Sequence, residues 1–131
     1  MKRILLAAVA VHFFIAGWHG LTHEMVPVPL SGPQTAFVAL VIVLAPLVGA
    51  GMTFSRFKVQ GAALVFVSML ASFLFGLVYH FLFHSPDHIS AVPAGGWGMA
   101  FVTSAILVCI SEAVGTVVGA MAWRRWSRGL A

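Results

Sequence analysis

Polar and apolar residues along this chain gather into long blocks. Four apolar runs, at about residues 4–22, 35–54, 59–83 and 98–123, are set apart by short stretches rich in proline, glycine and polar side chains. Each run approaches or exceeds the roughly 20 residues that a helix needs to cross a bilayer. Residues 23–33 contain Pro27, Pro29 and Pro33, and residues 84–96 contain Pro86, Pro93, Gly95 and Gly96, so helices are expected to stop there. The remaining connection, Ser55-Arg56-Phe57-Lys58, reads as a tight basic turn. The pattern predicts an all-α membrane protein: a four-transmembrane-helix bundle made of two helical hairpins in tandem.

Composition removes the soluble alternatives. Of the 131 residues, 61% are hydrophobic and 8% charged, whereas a soluble domain carries about 25% charged residues to solvate its surface. Residues 1–131 therefore read as a single integral membrane domain. The net charge of +4 comes from Lys2, Arg3, Arg56, Lys58, Arg124, Arg125 and Arg128, all beside apolar runs. Such placement sets topology and does not build a phosphate-binding groove, so the expected partners are the lipid bilayer and a membrane protein or second copy, with no nucleic acid. Basic residues on the two termini and the middle turn put those three on the cytoplasmic side (N-in, C-in) of a bacterial-type inner, or plasma, membrane. Met1-Lys2-Arg3 before an apolar run resembles a signal peptide, with Ala8-Val9-Ala10 as a cleavage box. The apolar stretch before that box is too short for a signal and continues past it, so the segment reads as a retained first helix. The single Cys109 excludes an intramolecular disulfide.

The two halves, about residues 1–57 and 58–131, look like an internal duplication. Phe14, His19, Leu21 and His23 stand at the same spacings as Phe75, His80, Leu82 and His84, and Trp18 corresponds to Tyr79. Ala36-Phe37-Val38 recurs as Ala100-Phe101-Val102. Two hairpins starting on the same side would be related by a pseudo-two-fold axis along the membrane normal.

The repeat draws attention to histidine. His19 and His23 are four residues apart, as are His80 and His84. Four residues turn a helix by about 400°, so both imidazoles of a pair share one face and can share one metal ion. If the two hairpin tips meet, His19, His23, His80 and His84 become candidate ligands, with Glu24, Asp87 and His88 as auxiliary ligands or supports. Imidazole suits copper, zinc and iron, and the expected order puts copper narrowly first. The plainer alternative is that these histidines simply bond carbonyls or water at a membrane interface. A b-type haem held between His19 and His80 is a further alternative, although it leaves His23, His84 and His88 without a role.

Deeper in the membrane, His12 and Glu112 lie near the middles of the first and fourth runs. Ionisable groups at that depth are expensive and are usually paired or functional, so an intramembrane polar pair is expected, serving either as a structural hydrogen bond or as a step on an ion path. Gly115 and Gly119 form a small-x3-small motif for helix packing. No phosphate loop, Gly-x-Ser-x-Gly, Cys-x-x-Cys or His-Glu-x-x-His occurs. The sequence thus points to a small membrane protein with an outward-facing histidine cluster for a transition metal. It would act in metal handling or as an accessory subunit of a membrane metalloenzyme, with no catalytic activity of its own. The competing reading is a non-catalytic scaffold of a larger membrane complex.

Overall fold

A computed structural model describes residues 1–26 and 28–129. Four helices are long and apolar enough to cross a membrane, Lys2–Met25, Gly32–Met52, Lys58–Leu82 and Gly96–Ser127, and the described residues contain no strand. This is the arrangement of a multi-pass membrane protein. Span 1 is α1 (Lys2–Met25). Span 2 is made of α2 (Gly32–Phe37), a π-helical stretch (Val38–Leu44) and α3 (Ala45–Met52). Span 3 is α4 (Lys58–Leu77) ending in a π-helical turn (Val78–Leu82), and span 4 is the unbroken α5 (Gly96–Ser127).

Local chemistry explains the ends. Span 2 starts on a capping box, in which Ser31 N–H donates to Gln34 Oε1 (2.8 Å) and Ser31 Oγ accepts from Gln34 N–H. Both exchanges satisfy donors that a helix start leaves without partners. Span 4 starts at Gly95, whose φ of 135° suits only glycine. Gly98 follows so close to Pro93 O that a side chain there would strike it.

The buried positions of the spans repeat at alternating steps of four and three. In α5 they run Phe101, Ala105, Val108, Glu112, Gly115, Gly119, Ala122, Trp126, and in α1 they include Leu5, Val9, His12 and His19. This period keeps one seam of each helix turned toward its neighbours. The spans associate in the order 1–4–3–2. Span 4 packs along spans 1 and 3, span 3 along span 2, and spans 1 and 2 make little contact. Both termini and the middle turn lie at one end of the bundle: Lys2 Nζ sits 3.6 Å from the centre of the Phe54 ring, and Leu5 and Trp126 share a core cluster.

Apolar packing is concentrated in that half. Leu5, Val9, Ala50, Ala62, Val65, Met69, Ala122 and Trp126 form one cluster, while the loop half has only a small one of Val26, Val28 and Phe101. Gly115 and Gly119 turn inward to span 3, within the same chain. A Cβ on Gly119 would lie 2.8 Å from both Phe66 Cα and Phe66 N, whereas on Gly115 it would meet the Met69 side chain at 2.9 Å from Sδ. Gly49 and Gly61 make a comparable contact between spans 2 and 3, where a Gly49 Cβ would be 2.8 Å from Gly61 O. Backbone cannot retreat as a thioether can. Gly119→Ala should therefore cost about 1–3 kcal/mol through overpacking, and Gly115→Ala clearly less. Thermal unfolding of the two variants in detergent, followed by circular dichroism, checks the difference, and equal losses would contradict it.

Candidate metal centre

Three imidazoles meet in the loop half of the bundle. His19 and His23 come from the last two turns of span 1, and His80 from the π-helical end of span 3. One nitrogen from each lies within 4.8 Å of the other two. His19 Nε2 and His80 Nε2 are 3.2 Å apart, with their rings perpendicular at 88°. Phe101 of span 4 packs against all three rings, at centroid distances of 5.1, 4.9 and 5.7 Å for His19, His23 and His80. The three histidines thus sit on an apolar floor.

The far side of each ring fixes what the near side can do. His80 Nδ1 is 3.0 Å from Asp87 O, a carbonyl that can only accept, so Nδ1 carries the proton. His19 Nδ1 is 2.9 Å from Ser104 Oγ, whose own proton goes back along span 4 to Phe101 O at 2.9 Å. Ser104 Oγ therefore accepts from His19 Nδ1–H. Thr22 holds the same corner, donating to His19 O at 2.7 Å and lying 3.2 Å from Ser104 Oγ. A neutral imidazole with a protonated Nδ1 has a lone pair on Nε2. The two Nε2 atoms consequently face each other, and two bare lone pairs at that distance repel, so either a proton on one Nε2 that donates to the other or a metal ion stands between them.

Asp87 completes the arrangement from the loop after span 3. Its buried carboxylate Oδ1 lies 3.3 Å from His80 Nδ1 and 3.4 Å from His23 Nε2, without the alignment of a hydrogen bond. The other His23 nitrogen, Nδ1, is buried without a hydrogen-bond partner. A carboxylate or carbonyl behind a ligating histidine is the usual support in metal sites. The loop is held in place by Asp87 N–H to Ser85 Oγ (3.2 Å), His88 N–H to Ser85 O (3.0 Å) and Ile89 N–H to His80 O (3.0 Å).

The other residues singled out by sequence go elsewhere. His84 does not join the group: it is exposed and stacks on His88 at 4.7 Å. The four-residue rule assumes an α-helix, but Phe83 N–H reaches back five residues to Val78 O and Phe83 itself is extended. His80 and His84 are thereby parted. His88 is used up in the loop, with Nδ1 accepting from Ser90 N–H (3.1 Å) and Nε2–H donating to Phe81 O (3.2 Å). Glu24 is exposed at the mouth of a cavity.

That cavity, of about 490 Å³, descends from Glu24, His23 and Asp87 past His19 and His80 to Glu112 and His12. Its other wall is Val38, Ile42 and Val43 of span 2, where span 2 stands off from span 1. His12 and Glu112 both line it but are not bonded to each other. His12 Nε2–H donates to Ile42 O at 3.3 Å, and Nδ1 lies 3.3 Å from Ser111 Oγ. Ile42 lies in the π-helical stretch just ahead of Pro46, a residue with no N–H to give the turn before it, and His12 reaches the Ile42 carbonyl from span 1. Both Glu112 oxygens are buried with no protein donor in reach.

Comparison with protein-family models, curated proteins and solved structures finds no match. The site's own geometry therefore carries the functional reading. Ser104, Thr22 and the Asp87 carbonyl were not visible as site residues from sequence. The available signal was the run of hydroxyl residues at the loop ends of spans 1 and 4, which has nothing to distinguish it from ordinary helix back-bonding.

Removing the His12 donor should leave Ile42 O buried without a partner, at about 1–3 kcal/mol. In a Pro46→Ala background the restored N–H can serve that carbonyl, so His12→Ala should cost less there. A double-mutant cycle on thermal stability measures the coupling, and strict additivity would rule the bond out as the reason for His12.

Proposed function

We propose that this protein is a membrane metal-binding protein whose ion is held by His19, His23 and His80. Asp87 and Ser104 orient the rings, and the protein works in metal handling or as an accessory subunit of a membrane metalloenzyme. The observation that carries the reading is the convergence of three imidazoles, with the Nε2 atoms of His19 and His80 3.2 Å apart. Two imidazole nitrogens each about 2.0–2.1 Å from a tetrahedral ion lie roughly 3.3 Å from each other. A cation between them converts the repulsion into two bonds. His23, one ring nitrogen of which lies within 4.8 Å of those of His19 and His80, supplies a third ligand, leaving the fourth position to water or cargo.

Three imidazoles beside a carboxylate suit copper or zinc. Met25 and Met99, the thioethers that would favour copper, are both exposed and outside the cavity, so the donor set supports zinc as well as copper. A b-type haem fits less well. Its axial nitrogens stand in line on opposite sides of a porphyrin, whereas the His19 and His80 rings are perpendicular with centroids 4.9 Å apart. The basic termini and middle turn favour a cytoplasmic location for that end, with the histidine site facing outward in a bacterial-type inner membrane. The meeting of His19 with His80, equivalent positions in the two halves, supports the duplication.

Replacing both His19 and His80 with Ala should remove the ion at this site. Zinc or copper loaded onto purified protein and measured by elemental analysis would then fall by one equivalent per chain. An unchanged stoichiometry sinks the proposal.

A further inference from the structure

The cavity continues below the histidines, and its floor is a carboxylate. Glu112 is 0% exposed, lies at the middle of span 4, and has both oxygens buried with no protein donor. Such a group at mid-membrane is costly, and an unpaired one is a functional-site candidate by default. The ionisable residues lining the cavity are histidine, aspartate and glutamate, and neither lysine nor arginine is among them. A cation therefore meets no repelling charge along the lining.

Gly76 joins the two levels. A Cβ placed there would lie 3.5 Å from Glu112 Oε2, 3.2 Å from Cys109 Sγ and 3.8 Å from His80 Cδ2. The missing side chain leaves the His80 ring, the carboxylate and the thiol around one small space. Cys109 and Glu112, three residues apart on one helix, share a face. A divalent ion bound by a carboxylate and a thiolate is a net neutral assembly, which is the condition for holding charge in an apolar interior. Thiolate and carboxylate together suit zinc or a neighbouring transition metal.

We propose that Glu112, with Cys109 beside it, is a second, deeper cation-binding position served by the same cavity. A transition-metal ion admitted from the loop side is held first by His19, His23 and His80, then past Gly76 by Glu112 and Cys109. On binding there the divalent ion replaces two protons, one from the Cys109 thiol and one from the buried Glu112 carboxyl, and both leave through the cavity to bulk water. The two-step path rests on the metal reading of the histidine site, whereas binding at Glu112 stands independently of it.

Cobalt(II) titration of the purified full-length protein in detergent tests this, with stoichiometry from equilibrium dialysis and the spectrum from absorption. Wild type should bind two ions per chain. Glu112→Gln, nearly isosteric, should bind one, and Glu112→Asp should keep two with the second more than tenfold weaker. Cys109→Ser should abolish the near-ultraviolet thiolate-to-cobalt band. His19→Ala/His80→Ala should retain one ion together with that band. A Glu112→Gln variant that binds as many ions as wild type, whether one or two, overturns the deeper position. Loss of one ion in Glu112→Gln but none in the double histidine variant keeps it and overturns the histidine site instead.

Discussion

Within the hydrocarbon of a bilayer no water is at hand, so every buried polar atom must be met by the protein itself. That constraint organises this molecule. Hydroxyls close back on their own helices, as Ser68 does on Val65 O and Ser72 on Ser68 O, at 3.2 and 2.8 Å. The Ile42 carbonyl, in the π-helical stretch ahead of Pro46, is met by His12 from another span. Ser104 and the Asp87 carbonyl bind one nitrogen each of His19 and His80. Because those far-side partners are spoken for, the near sides of His19 and His80 are left to each other, and the buried atoms without a protein partner, on His23, Asp87 and Glu112, all lie along the same cavity.

Much of this was legible in the chain, and the parts that were not have physical reasons. The four spans were readable because length and apolarity are properties of single segments. The observed helices run two to four residues beyond the expected limits at several ends, as in span 4, expected at 98–123 and found as Gly96–Ser127, since an apolar window does not register the polar last turns. The meeting of His19 with His80 was readable from a shared spacing. The exclusion of His84 was not, because it depends on a π-helical turn that widens the helix just before the residue. Nor was the support from Ser104, since the order 1–4–3–2 that brings span 4 beneath the histidines arises from packing along the seams and not from chain order. Gly115 and Gly119 were recognisable as a contact motif, but their partner could only be named once Met69 and Phe66 were in place.

The division of labour between the two halves explains how a small bundle tolerates so polar a centre. Near the termini, apolar side chains and close glycine contacts bind the spans together. In the loop half, both π-helical segments occur, and each displaces backbone from regular packing beside the cavity. Bulges of this kind are often found where a helix must present a group to a ligand. Apolar packing is concentrated in one half, and the buried histidines and acids gather in the part of the fold that packing leaves open.

The bond from His12 to Ile42 has a mechanical consequence. Spans 1 and 2 touch sparingly, and this polar tie joins them at the bottom of the space between them. The chain itself ties the same two spans at their tips, since span 1 ends at Met25 and span 2 begins at Gly32. Two rods fastened at the tip by covalent bonds and at the foot by a hydrogen bond enclose a window, and the cavity occupies the opening between the two fastenings.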